Sequence, residues 1–136
     1  ALRRACGDRA VLRALHYYDD DRRAVAEAQA LKAGDFSRFL ALVNASGISS
    51  ALHLQNTWSI AAPRQQAIPV ALAIGRELLG EAGAIRVHGG GFAGTIQAFV
   101  PLEKLESFRA GMEALLGEGK CHILHIRPKG GCVVVA

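Results

Sequence analysis

At 136 residues the chain is long enough for one domain with a buried core. Its 51% apolar and 21% charged residues are those of an ordinary globular protein, no apolar run is long enough to cross a bilayer, and the start does not resemble a secretory signal. The formal charge of +4 is scattered, and Arg22-Arg23 directly follow Asp19-Asp20-Asp21, so the sequence reads as a mixed-charge helix face rather than a nucleic-acid or membrane surface.

Residue 1 is not Met and the single Met is Met112, which suggests a processed chain or a piece of a longer protein. Cys6, Cys121 and Cys132 form an odd set without a close pair. Small buried thiols in a reducing cytoplasm are the expected reading. His16, His53, His88, His122 and His125 do not fall at ligand spacing, so no metal site is expected.

In chain order, Asp8 to Ala33 reads as one long helix, with Val11, Leu15, Tyr18, Arg22 and Val25 as its stripe, Asp8 as N-cap and Gly34 as left-handed stop. Asp35 caps a second helix carrying Phe36, Phe39, Leu40 and Val43 on one side. Asn44 to Trp58 shows no period and reads as irregular. A third helix, about Arg64 to Leu79, buries Ile68, Leu72, Gly75 and Leu79, and Pro69 draws its start toward Ile68.

Strands follow at Ala84–Val87 and Thr95–Val100, joined by a glycine-rich loop. Pro101 opens a fourth helix lined by Leu102, Leu105, Phe108, Met112 and Leu115, and Gly117 and Gly119 close it. Further strands are expected at Cys121–Arg127 and Cys132–Val135 around a turn at Pro128–Gly131. Helices followed by β-β-α-β-β predict an α+β sandwich, ferredoxin-like, with the helices on one face of a mainly antiparallel sheet.

The chemistry-bearing candidate is His88-Gly89-Gly90-Gly91-Phe92-Ala93-Gly94-Thr95. Gly89, Gly91 and Gly94 match the dinucleotide fingerprint in letters, but that mechanism needs a helix N-terminus, and Thr95 to Val100 reads as strand. No Lys-Ser or Lys-Thr pair follows, so a Walker loop is excluded. Two readings stay open on the residues alone. The loop cradles an anion with its backbone N–H groups, or it is a tight connection packed beside a neighbour.

The run from Gly83-Ala84-Ile85-Arg86 through Gly89-Gly90-Gly91-Phe92-Ala93-Gly94-Thr95 resembles the third conserved motif of the galactokinases, members of the GHMP kinase superfamily. Its usual form is Gly-Ala-Arg-Met-Thr-Gly-Gly-Gly-Phe-Gly-Gly-Cys. Ala84, Arg86, the three glycines, Phe92 and Gly94 keep the pattern, and Ile85, Val87, His88, Ala93 and Thr95 depart from it. Ala30-Leu31-Lys32-Ala33-Gly34-Asp35-Phe36 and Leu42-Val43-Asn44-Ala45-Ser46 resemble family segments in the same order. Ala45 to Asn56 departs most, where the family carries Ser-His-x-Ser-Leu-Arg-Asp-Asp-Tyr.

The resemblance implies that residues 1–136 form a GHMP kinase C-terminal domain whose partner is its own N-terminal kinase domain. That half would hold the sugar-recognition motif, phosphate loop and catalytic residues, with none in this chain. The intact cytoplasmic enzyme would transfer the γ-phosphoryl of ATP, with Mg2+, to galactose, giving galactose 1-phosphate. Gly89, Gly90, Gly91, Phe92, Ala93 and Gly94 would support the phosphate loop, with Phe92 anchoring the segment. Arg86 would face an anion or cap the sheet edge, the second being preferred. A kinase for another sugar and a freestanding ligand-binding module are the alternatives.

Overall fold

The computed structural model describes residues 1–92, 94–130 and 132–133. Helix α1 spans Leu2–Lys32, broken at Gly7 (φ 79°, ψ 170°), so the continuous helix starts where the sequence placed it, with an extra turn before it. Asp8 pairs with Arg3. Gly34 at φ +70° terminates the helix in the left-handed region that glycine adopts at little cost.

The stripe expected to be buried is on the wrong face. Tyr18 is 62% exposed, and Leu15 and Val25 also stand largely in solvent. The face that packs carries His16, Asp20, Arg23, Glu27 and Ala30. The reason is the partner: α2 meets α1 with serine hydroxyls that hydrogen-bond to the α1 polar groups, so periodicity of apolar residues pointed away from the contact.

Helix α2 spans Phe36–Ser49 and is capped by Asp35, whose carboxylate accepts the Arg38 N–H at 3.0 Å. Phe39 and Val43 are buried, but Phe36 is exposed. The stretch expected to be irregular from Asn44 is helical to Ser49 and continues as a π-helical turn over Ser50–Leu54. Helix α3, Ala67–Leu79, starts beside Ile68 as expected, with Pro69 in its first turn, where no intrahelical donor is lost. Helix α4, Leu105–Leu116, follows a 3-10 turn at Leu102–Lys104 and buries Phe108 and Met112, while Leu102 and Leu115 are exposed.

Strands β1 (Ala84–His88) and β2 (Thr95–Phe99) pair antiparallel, Ala84 opposite Phe99 and His88 opposite Thr95. Side chains alternate across the hairpin. Ile85, Ile96 and Ala98 join Ala71, Leu79, Phe108 and Met112 beneath α3 and α4. Ala84 and Phe99 join Ala30, Phe39 and Val43 beneath α1 and α2. The fold is therefore α+β, but helices cover both faces of the hairpin rather than one. Apolar residues at both parities of β1 made that possible. No strand forms over 121–127 among the described residues, because nothing there pairs with it. Of the strand expected at 132–135, residues 132–133 form none and 134–135 lie outside the described residues. The thiols expected to be buried are not: Cys6 and Cys132 are exposed and Cys121 is half-buried, because no packed element fully covers them.

The outer edge of β1 is closed by side chains. Asn44 of α2 donates through Nδ2 to the Gly83 carbonyl and accepts the Ile85 N–H, each at 3.1 Å, as a neighbouring strand would. Arg86 Nε donates to the Val87 carbonyl at 3.1 Å. Covering an edge in this way prevents pairing with foreign strands.

Candidate functional site

The loop between β1 and β2 divides into an open part and a clamped part. Nothing lies within 4 Å of where a Cβ would stand on Gly89 or Gly90, so a side chain there would meet open space. Gly91, at φ +77°, is pressed against Asn56, and a Cβ there would sit 2.2 Å from the Asn56 carbonyl oxygen. The Phe92 N–H donates to that same oxygen at 2.6 Å, and the Gly94 N–H closes the turn on the Gly91 carbonyl at 3.1 Å. Asn56 Nδ2 faces the Gly90 carbonyl at 3.5 Å, a long contact, and Asn56 Oδ1 is buried without a partner among the described residues.

Asn56 is the residue that sequence reading missed. It is 3% exposed and follows Gln55, which holds the left-handed conformation (φ 55°, ψ 42°) that ends the π-helical turn. A polar residue after an aperiodic stretch carries no pattern that would single it out.

The attachment the structure shows at Phe92 is its main-chain bond to Asn56; its backbone sits at φ +58° and the residue is half exposed. Ala93 lies outside the described residues. Gly94 is exposed. Arg86 takes the edge-capping role described above, and His88 stands exposed at the loop entrance.

Behind the clamp, α1 and α2 enclose a hydrogen-bonded polar cluster. His16 Nδ1 lies 2.9 Å from Ser49 Oγ, which lies 3.1 Å from His53 Nδ1. Ser46 Oγ donates to Asp20 Oδ1 at 2.6 Å, Arg23 pairs with the same carboxylate, and Asp20 Oδ2 is 3.7 Å from His16 Nε2. Burial pushes the His16 imidazole below its ordinary range, and the neighbouring Asp20 only partly offsets this. Burial works to raise the Asp20 carboxyl, but hydrogen bonds from Ser46 and Arg23 outweigh it and hold the group below its usual range. Glu27 is pushed up, first by burial.

A hollow of about 350 Å³ opens between the end of α2, α3 and β1, lined by Ile48, Leu52 and Leu72 with Arg76 and Arg86 as its charged residues. Among the described residues no three His, Cys, Asp or Glu side chains stand together as a metal site would require. No helix among them is long and apolar enough to cross a membrane.

The chain is 32% identical over 100 residues to the galactokinase of Mannheimia succiniciproducens, which covers 74% of this chain and 24% of that protein. It is 31% identical over 97 residues to the galactokinase of Actinobacillus succinogenes, covering 71% of this chain and 23% of that protein. The chain thus spans about a quarter of the length of the curated relatives it matches. No family model matches it, and no solved structure does.

Proposed function

We propose that this chain is the C-terminal domain of a galactokinase-type GHMP kinase and contributes the glycine loop to a phosphoryl-transfer site completed by an N-terminal kinase domain. The observation that carries the reading is the loop's division of labour: Gly91 and Phe92 are tied to Asn56, while the space a side chain would take on Gly89 or Gly90 is open. A backbone without side chains is what close approach to another lobe's phosphate loop requires. Sequence similarity to two galactokinases over about three quarters of the chain supports the same reading.

In the intact enzyme, the hydroxyl at the anomeric carbon of galactose attacks the γ-phosphorus of ATP, the bond to the bridging oxygen breaks, and galactose 1-phosphate and ADP leave. Such a transfer needs positioning and neutralisation of charge more than covalent help from the protein. This chain's share is shape, because Gly89 and Gly90 let the two lobes meet without side chains between them. On this reading Mg2+ and most ATP contacts belong to the other domain. On this reading the enzyme is cytoplasmic and the isolated domain is inactive.

A second acceptor sugar is favoured by one observation. Ser49 and His53 lie where the family pattern differs most, and Ser49 bonds His16 while His53 bonds Ser49, instead of facing an open surface. The test is to assay the 136-residue chain and the longer polypeptide containing it with MgATP and a panel of sugars. The reading expects no turnover from the short chain and phosphorylation of galactose, or of a related sugar with higher kcat/KM, by the long one. Full activity from the 136 residues, or none from the longer protein with any sugar, would overturn it.

A further inference from the structure

The glycine loop hangs on Asn56, and Asn56 is delivered by a π-helical turn that packs against α1 and α2. The turn closes on itself where the Gln55 N–H donates to the Ser50 carbonyl at 2.9 Å. The partly buried chain His16–Ser49–His53 ties α1 through the last residue of α2 to the turn.

That chain has a direction. A serine hydroxyl has one proton, so Ser49 donates to one imidazole and accepts from the other. Asp20 Oδ2 stands beside His16 Nε2, which favours the ring proton on that nitrogen and leaves His16 Nδ1 as the acceptor. Ser49 therefore donates to His16, and His53 Nδ1–H donates to Ser49. The charged and titratable groups facing the chain are Asp20, Arg23 and Glu27 of α1, His53 of the turn and Arg86 of β1.

Building on the kinase reading above, we propose that Ser49 and His53 are positioning residues for the glycine loop. They hold the turn so that the Asn56 carbonyl receives the Phe92 N–H, and this bond sets the course of the Gly89–Gly91 backbone.

The experiment needs neither nucleotide nor sugar, so its outcome is separate from that of the sugar-panel assay. Residue-resolved hydrogen exchange at the Phe92 amide is measured in the 136-residue chain, with the β1 and β2 amides as internal reference. Ser49→Ala and His53→Ala are expected to speed exchange at Phe92 about tenfold while the strand amides stay within about twofold, as local opening requires. His53→Asn, whose amide nitrogen stands where Nδ1 stood, is expected to restore the wild-type rate within about twofold. If Ser49→Ala does not fold, the two His53 variants decide the matter. A Phe92 amide that stays protected in His53→Ala, a parallel rise in Phe92 and strand amides, or a failure of His53→Asn to restore protection would each overturn the assignment.

Discussion

Replacing Gly91 by Ala tests the clamp at its tightest point. The new Cβ would lie 2.2 Å from the Asn56 carbonyl oxygen and 2.9 Å from Asn56 Cβ and Cγ. Ordinary carbon–oxygen contacts begin near ~3.3 Å, so the two segments must part by about 1 Å. The φ of +77° adds a backbone penalty, about 1–2 kcal/mol for an L residue in the left-handed region. Separation also breaks the Phe92–Asn56 hydrogen bond, worth about 0.5–1.5 kcal/mol net. The sum is about 1.5–3.5 kcal/mol, and less where the surface loop relaxes the backbone strain by peeling away.

Gly90 serves as the control, since its added Cβ meets nothing within 4 Å and its φ is not positive. Urea unfolding is expected to show Gly91→Ala destabilised by about 1–3 kcal/mol and Gly90→Ala changed by less than about 0.5 kcal/mol. Hydrogen exchange at Phe92 should rise in the first variant alone. Equal stabilities for the two variants, with Phe92 still protected in Gly91→Ala, would refute the argument. On the proposed kinase reading, Gly91→Val in the longer polypeptide is expected to fold but lose most phosphorylating activity, and wild-type turnover would show that the clamp on Asn56 is not needed.

Three further outcomes follow from packing and charge. Phe108→Ala should cost about 3–5 kcal/mol in urea unfolding, because the ring fills the core beneath α4, whereas Phe36→Ala, at a ring 64% exposed, should cost far less. Tyr18→Gln and Val25→Gln should each change stability by less than about 0.5 kcal/mol, since both side chains stand in solvent; a loss of core size would restore the face that periodicity suggested. The folded state favours neutral His16, so stability is full above the ordinary imidazole value of 6.5 and falls as pH drops below it. The slope is at most about 1.4 kcal/mol per pH unit, and His16→Asn should flatten it in urea titrations across pH 5 to 7.5 (~the imidazole range). The depressed Asp20 contributes in the other acid range, its stabilisation present above the ordinary carboxyl value of 3.8 and lost at lower pH.

Local signals decided much of this molecule. Asp35 as cap, Gly34 as stop, Pro69 at the head of α3 and the β-branched runs around the glycine loop each act within a few residues, so the elements they bound were legible without a fold. The glycine loop's place between two strands was legible for the same reason. Which faces meet was not. Val11, Leu15, Tyr18 and Val25 form a good helical stripe, yet α1 packs through His16, Asp20 and Arg23, because Ser46 and Ser49, some 30 residues away along the chain, supply the hydrogen bonds that make burial of those groups tolerable. Asn56 gained its role in the same way: only the crossing of the π-helical turn with the loop brings its carbonyl to Phe92 and forbids a side chain at Gly91. Backbone preference is a property of neighbours in sequence, and satisfaction of a buried polar group is a property of neighbours in space, so the first could be read along the chain and the second had to wait for the fold.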